Sequence, residues 1–533
     1  MNPPTLEKRE TVKTKVKTIG TMGAEVRVRF APSPTGPLHI GGVRTALYNY
    51  LFAKGGGGRF ILRIEDTDSQ RFVPGAEEYI IEALSWCGIL PDEGVEGGKV
   101  VESPSSKHPY APYRQSLRGD IYSRYAQQLV EAGSAYYAFD SAEELEKLRK
   151  EAQERGEGFL YNYQNRESLS NSLSMPKNEV ERRLKESRDW VIRFKVSPNR
   201  KVELYDLIRG EILIDSNTID DKVIWKSSDS LPTYHLANVV DDVEMKITHV
   251  IRGEEWLPSL ALHYLLYEAL GWEEFRPQFA HLPLLLKPDG KGKLSKRDGE
   301  RLGFPVFPLE WREGDKEVSR GFREDGYYPE AFINNLALLG WNPGGENELF
   351  TLQELVESFS IDRIVHSGAK FNVDKAKWFN QEYLRKRDIG ALALELSPIL
   401  KENGVDIELS KVEEAIALVG DRIAFVDQIW KESDYLFKAP SQLDPKLKSK
   451  VWNDNSSRQL KELSNIISQI ENFTPPNIEE EIKNYIKENS LPMGQVMNTI
   501  RLMLVGEGKG ISVAQIIYFL GKEESLSRLS KSL

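Results

Sequence analysis

Arg29-Phe30-Ala31-Pro32-Ser33-Pro34-Thr35-Gly36-Pro37-Leu38-His39-Ile40-Gly41-Gly42 lies between two runs of different character. Before it, Val26-Arg27-Val28-Arg29-Phe30 alternates apolar and charged side chains and reads as a β-strand. After it, Val43 to Leu51 sets apolar residues at positions that suit a helix. Between them, three prolines fix φ and the glycines allow a ligand to approach the backbone. A strand, a stiff loop and a helix N-terminus make a phosphate site, because free N–H groups and the helix dipole point at the anion. His39 stands at the mouth of that helix. A Pro-rich turn with a surface histidine fits the same residues, so the rest of the chain has to decide.

Outward from this stretch, Gly55 to Gly58 is a flexible turn and Arg59 to Glu65 reads as a second strand. Strand, helix and strand at these lengths imply a parallel sheet. Ligands bind at the carboxyl ends of such strands. That places Arg29, Ala31 and Ser33 at one strand end and Glu65 at its neighbour's. Gly75 to Gly88 reads as the next helix. Far downstream, the apolar run Leu282 to Leu286 reads as a buried strand, followed by the cationic loop Lys293-Leu294-Ser295-Lys296-Arg297.

Composition limits the possibilities. A chain of 533 residues holds several domains at ~100–200 residues each. With 71 Lys+Arg against 81 Asp+Glu, the formal net charge is −10, which argues against a protein that coats nucleic acid in bulk but leaves room for a local basic surface. The one cysteine, Cys87, excludes an internal disulfide and a Cys-rich zinc site, and reads as a small core residue. No apolar run reaches the ~20 residues of a membrane helix. Residues 1–24 carry lysines without an apolar core, unlike a secretory signal; a native extension, an expression remnant and a disordered tail all fit them.

Taken together, the two loops resemble the HIGH and KMSKS signatures of class I aminoacyl-tRNA synthetases, with Gly42 where the first motif ends in histidine. The whole phrase from Arg29 to Gly42 resembles the glutamyl-tRNA synthetases of bacterial type. So do Arg63 to Asp68 (RIEDTD), Tyr234 to Asp242 (YHLANVVDD), Val250 to Trp256 (VIRGEEW) and Lys293 to Gly299 (KLSKRDG), all in the family's order. The resemblance runs from about Val26 to the C-terminus. It implies an α/β fold: a Rossmann-type parallel-sheet catalytic domain with an insertion that grips the tRNA acceptor end, then an all-α anticodon-binding domain. The expected divisions are 1–24 as extension, 25–115 as the first catalytic half and 116–225 as the insertion. They continue with 226–300 as the second catalytic half carrying the KLSKR loop, 301–374 as a surface insertion and helical connector, and 375–533 as the anticodon-binding domain. Within the insertion, helical stretches precede strand-like runs at Trp190 to Val196, Val202 to Leu207 and Gly210 to Ile214. The sheet is expected to resume near Thr233 and to continue through Lys246 to Arg252. Glu300 to Arg320, rich in charge, reads as a surface insertion.

The implied reaction joins L-glutamate to tRNA(Glu) through a glutamyl-adenylate, with ATP and its Mg²⁺ as substrate and with activation dependent on tRNA. The protein's part is to position reactants and to neutralise charge on phosphoryl oxygens. His39, Lys293 and Lys296 are the candidate catalytic residues, and with Gly41, Glu255 and Leu286 they make the candidate ATP site, Leu286 through its backbone. A substrate with two carboxylates and one ammonium needs cations and one anion. Guanidinium grips a carboxylate in a planar fork, so Arg29 and Arg252 are candidate clamps and Glu65 is the candidate for the ammonium. Ordinary surface ion pairs are the alternative for these three. Ala31, Ser33, Tyr234 and Asn238 match positions lining the amino-acid pocket; Tyr234 and Asn238 share a face if their segment is helical, which a buried helix face would equally explain. Arg71 and Arg114 fit either an RNA contact or a solvated face. The resemblance further implies a monomer in the cytoplasm, with no membrane partner. Some relatives bind zinc through cysteines near Ala135 to Asp140; those ligands are absent here, so no protein-bound zinc is expected. The competing identities are a glutaminyl-tRNA synthetase, a short relative that glutamylates a tRNA base, and an inactive RNA-binding scaffold. The Ser33-Pro34-Thr35-Gly36 phrase opposes the first, the helical pattern beyond Lys375 the second, and the intact His39, Lys293, Lys296, Arg29 and Glu65 the third.

Overall fold

The computed structural model describes residues 25–187, 189–312 and 318–530; the segment 1–24, expected to be an extension, lies outside them. The chain divides into two units, Met1–Phe322 with Ile333–Asn372, and Arg323–Phe332 with Val373–Leu533.

The first unit is built on two sheets. Their strands are β1 (Arg27–Phe30), β2 (Arg59–Leu62), β3 (Ala135–Ala138), β4 (Val191–Phe194), β5 (Lys201–Asp206), β6 (Gly210–Asp215), β7 (Val223–Lys226), β8 (Leu231–Pro232), β9 (His249–Gly253) and β10 (Gln278–Leu282). The larger sheet runs β2-β1-β9-β10-β5-β6 and is parallel except for the β5–β6 hairpin. The smaller, β8-β7-β4-β3, is antiparallel and lies within the inserted segment. Between β1 and β2 runs helix α1 (Ile40–Gly55), whose Val43, Leu47 and Leu51 are fully buried, each contributing about 1.5–3 kcal/mol of burial energy. Gly58 closes the turn onto β1: a Cβ there would lie 2.0 Å from the Val26 carbonyl oxygen.

The alternation in β1 does not mark a solvent face. Arg27 and Arg29 are both buried, 7% and 3% exposed. A buried guanidinium needs acceptors for its N–H groups, and both of these find a carboxylate. Arg27 donates to both carboxylate oxygens of Glu93 at 2.7 and 3.0 Å, and Arg29 donates to Asp242. The sheet is therefore covered on both sides, as parallel sheets are.

Several sequence expectations need correction. Beyond Thr233 the chain forms helix α2 (Tyr234–Glu244), and β9 begins only at His249. The hairpin Lys201 to Asp215, expected inside the insertion, pairs instead with the catalytic sheet through the Phe279–Asp206 bridge. Strand β2 ends at Leu62, so Glu65 lies three residues past it. The apolar strand is β10, Gln278–Leu282, with Leu285–Leu286 a separate short piece beside Ala369–Lys370. Glu300 to Arg320 is not wholly superficial. Phe304, Val306, Phe307 and Leu309 are buried, Leu309 accepts a hydrogen bond from the Tyr79 hydroxyl at 2.6 Å, and Trp311 packs edge-on against Tyr79. Apolar residues spaced among prolines gave no period from which this burial could be read.

The second unit is all helical, from Val373–Arg385 through Ile389–Glu402 and onward to Val513–Ser530. Its core joins Leu396, Ile416, Ile429, Leu463, Ile482, Ile500 and Ile517, residues set at helical spacing on amphipathic elements. Among the described residues no helix is long and apolar enough to cross a membrane.

Candidate active site

A cavity of about 400 Å³ opens at the carboxyl ends of β1 and β9. Here the chain leaves β1 towards β2 on one side while β9 leads on to β10 on the other, the place where open α/β sheets take ligands. The Pro-Gly loop forms one wall, with Ala31, Ser33, His39 and Gly41. Opposite are Arg29, Glu65, Tyr234, Asn238, Arg252 and Glu255. Ten of the thirteen residues singled out in the sequence thus line one hollow. Lys293, Lys296 and Leu286 do not. Lys293 reaches its edge through a 2.9 Å ion pair with Glu255. Leu286 is bridged to Lys293, and its carbonyl accepts from the Phe371 N–H at 3.1 Å. Lys296 opens the short helix α3 (Lys296–Leu302); its side chain lies outside the described residues. Arg71 and Arg114 lie outside the cavity lining, paired with Asp68 at 2.6 Å and Glu77 at 2.6 Å.

The segment that follows the cationic loop and α3 meets the first loop at the start of α1. The segment after α3 returns so that the Val306 carbonyl accepts from the Ile40 N–H at 3.0 Å, and Phe307 sets its ring edge-on to His39, 6.3 Å between centroids. His39 caps the helix, Nδ1 accepting from the Gly41 N–H at 3.1 Å. The Gly42 and Val43 N–H groups donate to the His39 carbonyl. The first N–H groups of α1 are therefore satisfied within the protein, which corrects the expectation of free amides awaiting an anion. At Gly42, the departure from the four-residue signature, a Cβ would lie 2.5 Å from Leu38 Cδ1, so the tip of that side chain would have to turn aside, whereas a Cβ at Gly41 would meet only His39 Nδ1, at 3.4 Å. The cationic loop is braced by a capping box in which the Ser295 N–H and hydroxyl both donate to Asp298, at 2.9 and 2.6 Å. Lys287 pairs with the same carboxylate at 3.2 Å.

The end of the cavity at Arg29 and Glu65 is held by a buried charge network that the sequence motifs contain but whose contacts they do not reveal. Asp242 accepts from Arg29 Nε at 3.0 Å and from an Arg63 guanidinium nitrogen at 2.8 Å. Arg63, fully buried, also donates to Glu65 Oε1 at 3.0 Å, and Asn238 donates to the same oxygen at 3.1 Å. Asp241 accepts from Gln115, Arg118 and Tyr122. Burial alone would raise the Asp242 carboxyl; Arg29 and Arg63 more than offset this and hold it below the usual carboxylate range. At Glu65 burial wins over Arg63 and Arg29, and the carboxyl sits above its ordinary value. Burial would also raise Glu255, but its hydrogen bond from Lys293 holds it low.

Arg252 differs from Arg29. It is 5% exposed, yet its hydrogen-bond partners are all neutral: His281 Nε2 at 3.0 Å, the Tyr234 hydroxyl at 2.8 Å and the Trp256 carbonyl at 3.4 Å. Among the described residues it makes no salt bridge. Tyr234 lies against Trp256, ring centroids 4.3 Å apart, and burial pushes its phenol up to about 12. The Tyr234 hydroxyl thus stays neutral, accepts from Arg252 and keeps its own proton to donate. Among the described residues no cluster of three or more His, Cys, Asp or Glu is placed to hold a metal ion.

The parallel sheet, its inserted antiparallel sheet and the Pro-Gly loop leading into α1 at the sheet's carboxyl edge are those of a class I tRNA synthetase. Residues 25–378 match the family of class I tRNA synthetases (E and Q), catalytic domain, and residues 391–533 match an anticodon binding domain. The glutamate–tRNA ligase of Christiangramia forsetii is 51% identical over 513 residues, 96% of this chain and 99% of that protein. That of Porphyromonas gingivalis is 52% identical over 515 residues, again 96% and 99%. The crystal structure of a glutamate tRNA ligase from Elizabethkingia meningosepticum in complex with its amino acid superposes with a TM-score of 0.90 at 51% identity, covering 95% of this chain and 99% of that one. The chain belongs to the glutamate–tRNA ligase family.

Proposed function

We propose that this cavity holds L-glutamate beside ATP and that the chain ligates glutamate to tRNA(Glu) in two steps. The glutamate α-carboxylate attacks the α-phosphorus of ATP and pyrophosphate leaves; the 2′-hydroxyl of the terminal adenosine of tRNA then attacks the acyl carbon and AMP leaves. No protein nucleophile takes part. The side-chain carboxylate lies in the fork of Arg252 and Arg29, with the Tyr234 hydroxyl donating to it. The ammonium faces Glu65, with Asn238, Ser33 and Ala31 shaping the remaining wall. His39, Gly41, Glu255 and the Leu286 backbone receive the nucleotide. Lys293 and Lys296 meet the charge on the β- and γ-phosphates. Mg²⁺ enters with the triphosphate as part of the substrate. The helical second unit reads the anticodon, and the enzyme acts as a cytoplasmic monomer.

The observation that carries this is Arg252, a buried cation with only neutral partners. A buried charge is stable when paired, and the side-chain carboxylate of glutamate would supply the anionic partner that Arg252 does not contact directly in the protein. Arg252→Leu is expected to lower kcat/KM for glutamate by about 2–5 kcal/mol in barrier terms while leaving KM for ATP in place. Amino-acid-dependent pyrophosphate exchange, with and without tRNA(Glu), is the assay. Unaltered kcat/KM for glutamate in that variant, or exchange that never depends on glutamate, would refute the assignment.

A further inference from the structure

The β5–β6 hairpin joins the catalytic sheet at one bridge, Phe279–Asp206, and this contact puts a carboxylate behind the Arg252 clamp. Asp206 is the last residue of β5, and His281 lies on β10 directly opposite Arg252 in the parallel register. The three side chains make a continuous line. Asp206 Oδ2 lies 2.7 Å from His281 Nδ1, and Arg252 Nε lies 3.0 Å from His281 Nε2. Asp206 and His281 are both completely buried.

Hydrogen-bond direction fixes the tautomer. Arg252 Nε can only donate, so His281 Nε2 must accept, and the imidazole proton sits on Nδ1, donating to Asp206. A protonated imidazolium would set two donors against each other at 3.0 Å. The pKa direction agrees: burial depresses His281 below its ordinary value, and the Asp206 carboxylate beside it does not reverse this. Asp206 is itself held from the other side. Its Oδ1 accepts from the Ile208 and Arg209 N–H groups at 3.0 and 2.9 Å, and Oδ2 also accepts from the His281 N–H at 3.0 Å. The carboxylate cannot swing, so the ring cannot, and the guanidinium plane is fixed from behind while its other nitrogens face Tyr234 and Trp256.

We infer that Asp206 and His281 are positioning residues that orient the Arg252 guanidinium for the side-chain carboxylate of the amino-acid substrate. This rests on the role of Arg252 proposed above. It accounts for the hairpin, which otherwise only extends the sheet, and for a histidine buried in an otherwise apolar strand. A preorganised fork loses less entropy when it grips its ligand, so the effect falls on glutamate and not on the nucleotide.

The test is steady-state aminoacylation of tRNA(Glu) by the full chain, with KM for glutamate and for ATP measured separately. His281→Asn keeps the donor towards Asp206 and loses the acceptor for Arg252. His281→Gln can restore an acceptor at the distance of Nε2. The expected result is a rise of about tenfold or more in glutamate KM for His281→Asn, the size of one lost charge-assisted hydrogen bond, with ATP KM unmoved and much of the loss recovered in His281→Gln. Asp206→Asn reads the same line from its far end, by permitting the wrong tautomer, and should raise glutamate KM in the same selective way even if a His281 variant fails to fold. Unchanged glutamate KM in Asp206→Asn, or an equal rise in the KM for ATP, would overturn the inference. If Arg252→Leu itself spares glutamate KM, the clamp has been misassigned; if it raises KM while the Asp206 and His281 variants do not, only the positioning role fails.

Discussion

Replacing Asp242 by Asn removes one charge and no volume from the centre of the buried network. The wild-type carboxylate accepts from Arg29 Nε at 3.0 Å, from a second Arg29 nitrogen at 3.3 Å and from Arg63 at 2.8 Å, with neither partner exposed. The Asn carbonyl keeps one of these bonds; its amide turns a donor towards the remaining guanidinium. Breaking a buried pair from one side costs about 3–5 kcal/mol, because the charge left behind stays desolvated. Spread over the unfolding entropy of a unit of ~360 residues at about 2.1 cal/mol/K each, that is a fall of roughly 4–7 °C in the melting temperature. Differential scanning calorimetry that resolves the catalytic unit's transition measures it. The pH dependence carries a sign. The folded pKa of Asp242 is depressed, so its contribution is fully present above the unfolded carboxylate value and is lost as pH falls through the lower folded one. Wild-type stability should therefore fall more steeply than that of Asp242→Asn in acid, and the two melting curves should converge there. Glutamate KM should rise with the same substitution, since Arg29 loses its anchor. A variant that melts with wild-type at neutral pH and keeps its glutamate KM would show that Arg29 is held by something other than Asp242.

Glu65→Gln should abolish the acid limb of kcat/KM for glutamate. With the Glu65 carboxyl raised by burial, that limb lies above the ordinary carboxylate value in the wild type, and activity falls as pH drops through it because the anion facing the ammonium is neutralised; an acid limb that persists unshifted assigns it to another group. Lys296→Ala should slow kcat by about 2.7–4 kcal/mol of barrier while tRNA affinity, from filter binding, stays close to wild type; unchanged kcat removes Lys296 from the phosphate site.

The strand–loop–helix at the front of the chain was legible because its signals are local. Alternation, prolines and the onset of helical spacing lie within about two dozen residues, and the strand, α1 and the cavity-lining loop are where they were expected. The β5–β6 hairpin was assigned to the wrong sheet for the opposite reason. Its period-two pattern is the same in either sheet, and what decides is one bridge to Phe279, more than seventy residues away in the chain. His281 carried no usable signal: a single histidine in Phe279-Ala280-His281-Leu282 looks like a satisfied core residue until Arg252 and Asp206 are seen on either side of it. The expectation of free amides at the start of α1 fails for a reason outside the local sequence. Helix N-terminal amides are open by default, but here His39 and the Val306 carbonyl close them, and Val306 belongs to a segment whose burial its sequence does not announce.

The adjacent aspartates of α2 explain why two phrases so recognisable in the sequence hold so few residues that line the cavity. Asp241 and Asp242 are consecutive, so the helix turns them about 100° apart. One faces Gln115, Arg118 and Tyr122, at the point where the chain departs for the insertion; the other faces Arg29 and Arg63 on the catalytic sheet. Arg63, the first residue of the RIEDTD phrase, comes within 3.7 Å of Asp241 as well as bonding Asp242 and Glu65. Arg63 is bonded to these carboxylates, and either aspartate stripped of its arginines would be a lone buried anion. Each is stable only because the others are present, so the set must be kept whole even though Glu65 alone among these four faces the cavity. The cavity wall at Arg29 and Glu65 is thus braced from behind, where motif residues that do not line it hold the charges in place for those that do.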